Sequence, residues 1–416
     1  MNQRKEILIV GGGVIGVCIA YYLAAEKYDV TLVEKNQICS GSSHGNAGLI
    51  SCANPIPMAE PGVIKKGLRW MLDADGPFYI KPCLDLELIR WVLKFRAACR
   101  EKPMRHAIDV TLAMRSISKK LAGELTAENK LAFGWQKKGR MLVYQNKDSL
   151  KDGIETLNFL SQYGVNGEIL DFDGVREKDP NLRPSVVGGI YYPDYEHVLP
   201  ERYVNGMARI AQDRGAVIKT ETEVIGFETA GNRIAKVVTS RGDFSPDQVV
   251  LAAGSWSPVV ARVLALRLPI QPAKGYSITV KRTPGGSEIP LSLADHKVAV
   301  TPMGEQLRFS SNLELVGYDA SINRRRIAAT RRAVNLYLSG IDDLELIQIW
   351  SGFRPNTPDT LPIIERNDTY SNLILATGHD MLGMTHSLIT GRLVSEIIAG
   401  ETPPVDLNPF RLSRFR

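Results

Sequence analysis

Three glycines and one acid near the start of the chain have the types and spacing to hold a dinucleotide. Gly11, Gly13 and Gly16 follow a G-x-G-x-x-G pattern, and Glu34 comes 18 residues after the last of them. Gly11 permits a tight turn, Gly13 lets backbone approach a pyrophosphate, and Gly16 lets a helix pack closely on a strand. Free N–H groups at the start of that helix, beginning with Val14 and Ile15, attract phosphate. An acid at the end of the second strand can accept a hydrogen bond from a ribose hydroxyl.

This chemistry needs a strand, a turn, a helix and a second strand in that order. ILIV precedes the glycines, VCIAYYLAA follows them, and YDVTLVEK carries Glu34 with Lys35 beside it. The same region has another reading. Ile7 to Ala25 is nineteen residues without a charge, preceded by Arg4 and Lys5. That length suits a membrane span, and those flanks suit an export signal. The glycine spacing and the acid favour the folded unit.

Two later segments point to a flavin rather than a nicotinamide dinucleotide. DQVVLAAGSWSP (247–258) reads as a buried strand followed by small residues, Ala253 and Gly254 among them. SNLILATGHDMLGMTHSLITGRLVSEIIAG (371–400) reads as a strand, a glycine turn and a long helix, with Gly400 closing it and Pro403 and Pro404 beyond. A nicotinamide enzyme would normally lack this returning C-terminal unit.

The totals set outer limits. The 416 residues are 44% hydrophobic and 23% charged, enough for two domains with cores of their own. The net charge of +6 is a mild surplus and suits a solvated surface. The run Arg324, Arg325, Arg326, Arg331 and Arg332 reads as one exposed helix, so no nucleic-acid partner is expected. Five cysteines (Cys18, Cys39, Cys52, Cys83 and Cys99) include no CxxC pair, and the six histidines have no metal spacing. A reducing compartment and no metal are expected.

Five blocks occur in a telling order: GGGVIG, SSHGNAGLIS (42–51), KGYSITV (274–280), WSGFRPNTPDTLPII (350–364) and ATGHDMLG (376–383). Together they resemble the FAD-dependent D-amino acid dehydrogenases of the glycine oxidase and D-amino acid oxidase superfamily. AEPGVIKKGLRWMLDADGPFYIKP (59–82) resembles the bacterial dehydrogenases more than the oxidases. The resemblance implies an α/β fold. A Rossmann-like FAD-binding domain, on a glutathione-reductase-like parallel sheet, would join an α+β substrate domain on an antiparallel sheet. Both would be discontinuous: 1–60, 199–262 and 355–416 for the first, 61–198 and 263–354 for the second. GRMLVYQN, GGIYYPDYEHV and KGYSITVKR read as strands of the second domain, and NRRRIAATRRAVNLYL as its exposed helix.

The resemblance also implies roles. Arg354, in GFRPNTPD, matches the arginine that binds the substrate carboxylate. Tyr276 could join it through its hydroxyl, or simply fill a half-buried strand. Arg308 is expected to face solvent, though it could serve as a second cation. His197 is expected to be a hydrogen-bonded structural histidine, though it could line the pocket. The small residues Ser42, Ser43, His44, Gly45, Asn46, Ala47 and Gly48 would run along the flavin, with His44 in contact with the ring or attached to it. Val224 would line the cofactor. The backbone of Gly378, and of Met381, Leu382, Gly383 and Met384, would present a helix N-terminus to the flavin, with the His379 ring packed beneath.

The implied reaction oxidises the Cα–N bond of a D-amino acid by hydride transfer to FAD. The product imine would hydrolyse to a 2-oxo acid and ammonia. No pair of carboxylates or Ser-His-Asp spacing calls for a general base. A hydroxy-D-proline or proline dehydrogenase, a glycine or sarcosine type oxidase, and a non-catalytic flavin-binding subunit stay open. So do the acceptor, a quinone or another carrier, and a homo-oligomeric state. Two basic amphipathic stretches, KKGLRWML (65–72) and LDLELIRWVLKFRAACR (84–100), could lie on an anionic membrane, although such stripes more often face a core. Leu84, Leu88, Trp91, Val92, Phe95 and Cys99 form the expected stripe of the second. A cytoplasmic protein, at most peripheral on the inner membrane face, is expected.

Overall fold

The apolar block before the glycines forms the strand Glu6–Val10, whose last four residues are buried. In this computed structural model, which describes residues 4–50, 55–73, 75–129, 133–283, 286–341 and 343–416, the strand lies inside a six-stranded sheet. It pairs in parallel with Asp29–Val33 on one side and Gln248–Leu251 on the other. Val217–Lys219 and Leu373–Thr377 extend the sheet in parallel, and Ile363–Arg366 closes one edge antiparallel. Layers cover both faces of the central strands, which explains their unbroken apolar runs.

The helix Val14–Ala25 is buried almost all round and packs against Gly383–Ala399 and Pro200–Asp213. The uncharged run is therefore a strand, a turn and a helix sunk in a core. No helix among the described residues is long and apolar enough to cross a membrane.

A second sheet of nine mostly antiparallel strands carries the remaining long elements. Gln271–Lys281 lies between Gln306–Leu315 and Leu346–Asn356, antiparallel to both. The first sheet draws its strands from 6–33, 217–251 and 363–377, and the second from 78–192 and 271–356. The architecture is thus α/β with an interleaved antiparallel unit.

The helix Arg324–Tyr337 departs from the exposed helix expected. It buries Ile327, Ala333, Val334 and Tyr337 against the second sheet, and Arg326 as well. The arginine run hid an apolar stripe at helical spacing. Its one buried cation is neutralised: Arg326 Nε lies 2.6 Å from Glu314 Oε1.

The two basic stretches form Val63–Met71 and Leu86–Ala98. Leu88 and Trp91 are buried as expected, and Trp91 donates to the Asn356 carbonyl at 2.9 Å. Leu84 is not part of that stripe. It is fully exposed, because Asp85 caps the helix by accepting from the Glu87 and Leu88 amides and leaves Leu84 outside. Leu86, Ile89, Val92 and Leu93 are exposed, as are Ile64, Leu68 and Leu72 on the shorter helix and at its end. Cys18, Cys39, Cys83 and Cys99 are unpaired, and Cys52 lies outside the described residues, as does Ser51.

Candidate active site

The glycine turn is shaped by two collisions that any side chain would cause. Gly11 has φ +117°, and a Cβ there would lie 2.5 Å from the Ala252 carbonyl oxygen, just before Ala253 and Gly254. A Cβ on Gly16 would lie 1.9 Å from the Gly11 oxygen. Gly13 differs. Its Cβ would meet nothing nearer than Ser43 Oγ at 3.5 Å, and it caps Val14–Ala25 without any side-chain hydrogen bond. The backbone there, and the amide of Ile15 in the first turn, are open to an approaching anion. Val14 donates instead to Ser43 Oγ at 3.0 Å.

Glu34 does more than the spacing suggested. Its carboxylate accepts from the Gly12 amide at 2.7 Å and from the Asn36 amide at 2.9 Å, pinning the turn to the second strand. Gly12 was missed: a Cβ there would fall 2.9 Å from Glu34 Cβ. The unbroken GGG triplet was the available signal. Lys35 places its Nζ 3.3 Å from the Trp256 ring centroid. Thr222 donates to the Glu34 carbonyl, two residues before Val224 opens its own strand.

A second helix end meets the first. Gly378, at φ +76°, starts the turn after Leu373–Thr377, and Leu382 caps Gly383–Ala399 without a side-chain bond. A Cβ on Gly383 would lie 3.7 Å from Val14 Cγ1. Two helix N-termini whose cap residues make no side-chain bond therefore converge, each with partial positive charge. Met384 is buried beneath the turn. The His379 ring turns inward, with Nε2 3.0 Å from Thr390 Oγ1. Burial pushes its pKa down to about 3, so it packs as a neutral ring.

The run 42–48 passes between the two units. Ser42 and Ser255 both donate to the Phe353 carbonyl, the latter at 2.7 Å. His44 has Nε2 3.1 Å from Gln348 Oε1 and Nδ1 3.6 Å from Glu201. The Trp350 indole lies where a Cβ on Gly45 would be, 1.8 Å away. Asn46 accepts from the Gly48 amide at 2.7 Å, and Ala47 is half-buried between them.

Arg308 is buried rather than solvent-facing, a correction with a clear cause. The small-residue run has carbonyls without strand partners, and Arg308 Nη1 satisfies those of His44 and Asn46, each at 3.0 Å. Nη2 reaches Glu201 at 2.8 Å and Nε reaches Thr279 Oγ1 at 3.1 Å. A guanidinium has five donors; here Nη1 fixes the run, while Nη2 and Nε anchor the guanidinium to Glu201 and Thr279.

Arg354 lies across from Ala273, and its guanidinium covers Gly275, where a Cβ would be 2.3 Å from Nη1. Nη1 donates to the Asn312 carbonyl at 2.9 Å. Burial lowers the Arg354 pKa from its ordinary value, and the charge of Asp380 opposes the shift. Tyr276 is the next residue along from Gly275, so its side chain leaves the other face of the strand. Its hydroxyl donates to Glu314 at 3.0 Å, and Glu314 also holds Lys274 at 3.3 Å. The structure thus does not bring Tyr276 and Arg354 together.

His197 is buried in the short strand Glu196–His197, paired with Leu49–Ile50. Its backbone bonds Gln136, but both ring nitrogens lack hydrogen-bond partners, contrary to the hydrogen-bonded ring expected. The apolar strand pairing buries the ring with no polar group aimed at it. Burial, with Lys138 nearby, pushes its pKa down to about 4.

The sequence model of the family described as FAD dependent oxidoreductase (DAO) matches residues 6–397. A D-amino acid dehydrogenase of Bradyrhizobium diazoefficiens is 33% identical over 419 residues, covering 99% of each chain. One of Granulibacter bethesdensis is 32% identical over 417 residues, with the same coverage. Among solved structures, a glycine oxidase from Geobacillus kaustophilus superposes with TM-score 0.80 at 23% identity, covering 99% of both chains. L-proline dehydrogenase from P. horikoshii gives 0.78 at 19%, covering 100% of this chain and 98% of that one. At these identities the structural likeness speaks for the fold.

Proposed function

The chain belongs to the FAD dependent oxidoreductase (DAO) family, and from that premise we propose that it oxidises D-amino acids and passes the electrons to a quinone or another carrier. FAD, when bound, supplies the two-electron acceptance. The glycine turn from Gly11 to Gly16, Glu34, the run 42–48 and the end of Gly383–Ala399 are the residues that would hold it. Two converging helix ends and an open Gly13 suit its diphosphate.

The observation that carries the substrate reading is Arg354. One nitrogen is committed to the Asn312 carbonyl, and the rest of the fork has donors to give. A planar guanidinium grips a carboxylate in two parallel bonds and so fixes direction as well as charge. Holding reactants in line can supply roughly 7–11 kcal/mol of a barrier. The D-amino acid dehydrogenases at 32% and 33% identity support the choice of substrate.

The acceptor reading draws on the exposed leucines. Ile64, Leu68 and Leu72 recur at helical spacing beside Lys65, Lys66 and Arg69, and Leu86, Ile89 and Leu93 do so beside Arg90 and Arg96. Such faces suit an anionic membrane surface, where a quinone is at hand.

An anaerobic absorbance screen of the FAD-loaded protein tests the substrate. D-amino acids should bleach the flavin. Bleaching only by L-amino acids, or only by glycine and sarcosine, would refute the reading. Bleaching by no amine would favour a non-catalytic subunit. With the same substrate, dye reduction without peroxide separates a dehydrogenase from an oxidase.

A further inference from the structure

Arg354 has a neighbour that the reading above leaves unused. Asp380 sits in the turn between Leu373–Thr377 and Gly383–Ala399, with φ +49°. That left-handed conformation is unusual for a residue with a Cβ. The residue is 8% exposed, and Oδ1 has no hydrogen-bond partner. Its amide donates to the carbonyl of Pro355, the residue after Arg354, at 3.1 Å. One backbone bond therefore ties the acid to the strand that carries the cation. Arg354 nevertheless gives its hydrogen bond to the Asn312 carbonyl and not to this carboxyl. An ionisable oxygen buried without a partner is costly and calls for an explanation.

We propose that Asp380 receives the ammonium group of the bound substrate and takes one proton from it, so that Arg354 and Asp380 together recognise an α-amino acid zwitterion. The proposal rests on the amino-acid reading above. A carboxylate and an ammonium on one carbon present opposite charges side by side, and this pair presents the complements. In the transfer, one N–H bond of the ammonium breaks as an O–H bond forms on Asp380. The amine becomes neutral with its lone pair free, and no electron moves. FAD, when bound, would accept the two electrons that leave with the Cα hydrogen, and the proton on Asp380 would pass to solvent when product departs.

The surroundings suit a group that exchanges a proton near neutrality. Burial pushes the Asp380 carboxyl up to about 7, against the pull of Arg354. Arg354, from Leu346–Asn356, is the charged side chain acting on it among the described residues, and the Met381 amide is its backbone partner. His379, adjacent in the turn, is neutral and faces Thr390. The sequence showed no paired carboxylates because the partner of this acid is a cation 26 positions earlier on another sheet.

The test compares wild-type FAD-loaded protein with Asp380→Asn, using two probes. Propionate carries the carboxylate without an amine, and D-alanine carries both. For Asp380→Asn the propionate inhibition constant should change less than about 3-fold, while kcat/KM for D-alanine at pH 7 should fall roughly 100-fold or more. That deficit should shrink as pH rises toward the pKa of the substrate amine, and the acid limb of the wild-type profile should move up to that pKa. Asp380→Glu should retain the limb, which keeps the test valid if Asn impairs folding. Equal loss for both probes, or an unchanged acid limb, would overturn the proposal and leave the substrate reading intact. If wild type is reduced by an L-amino acid instead, the same comparison runs with that substrate. Reduction by no α-amino acid overturns both.

Discussion

Arg308 and His44 belong to different units of the fold, yet Nη1 of the arginine lies 3.0 Å from the carbonyl oxygen of the histidine. The second sheet thereby reaches across and fixes the backbone of the run 42–48. Trp350, which lies over Gly45, and Gln348, which meets the His44 ring, come from a strand of the same sheet. The second sheet holds this run in place as well as covering it.

Replacing Arg308 with Met keeps the length of the side chain and removes all its donors. Two carbonyls and Glu201 then lose charged hydrogen bonds. Glu201 is partly exposed, which limits the cost to about 2–4 kcal/mol. Urea unfolding and FAD content should fall together. A variant with wild-type stability would show that the loop holds its own shape.

Gly13→Ala and Gly16→Ala should fail differently. A Cβ on Gly16 meets the Gly11 oxygen at 1.9 Å, so the helix cannot sit on its strand and the protein should lose stability with or without FAD. A Cβ on Gly13 meets only Ser43 Oγ at 3.5 Å, so the apoprotein should keep its melting temperature while FAD affinity drops. Equal melting temperatures for the two apoproteins would contradict this.

Arg354→Ala should leave FAD bound and reduce kcat/KM for amino acids. Each charged hydrogen bond lost is worth about 1.5–3 kcal/mol, or roughly 10- to 150-fold. Most of the change should appear in KM, because the carboxylate is held in ground state and transition state alike. Loss of flavin from this variant would mark Arg354 as structural.

The exposed leucines predict a separable membrane function. Leu68→Glu combined with Leu93→Glu should reduce binding to vesicles with anionic lipid by roughly 100-fold or more, since each leucine withdrawn from water contributes about 1.5–3 kcal/mol. Turnover with a water-soluble dye should be unchanged. Undiminished vesicle binding by the double variant would remove the basis for a membrane-facing surface.

His197 gives stability a pH dependence of known sign. Its folded pKa of about 4 lies below the unfolded value of 6.5, so between these values the unfolded chain binds more protons. Stability should then fall as pH drops from 6.5 toward 4, by on the order of 3 kcal/mol from this one group. His379, depressed to about 3, acts in the same direction, and Asp380, raised to about 7, acts against it. Urea titrations at pH 7 and pH 5 should show a smaller difference for His197→Leu than for wild type. Identical differences would mean that the ring is not desolvated.

Much of the cofactor half was legible in the chain. Gly11, Gly13, Gly16 and Glu34 lie within one strand–turn–helix–strand unit, where local spacing and local geometry are nearly the same thing. The returning segment 371–400 was readable for the same reason, since its strand, turn and helix are contiguous. The substrate half was not. The sequence identified Tyr276 and Arg354 as residues with suitable chemistry, but pleating sends neighbours to opposite faces, and only the register of Gln271–Lys281 against Leu346–Asn356 put one toward Glu314 and the other over Gly275. Arg308 looked like a surface cation because no local pattern reveals unpaired carbonyls more than 260 positions away. Asp380 comes next to the strand of Arg354 only through the tertiary contact of its amide with the Pro355 carbonyl. Composition and spacing determined the elements and the cofactor class. Side-chain direction and long-range charge pairing decided the site, because both depend on which strands become neighbours.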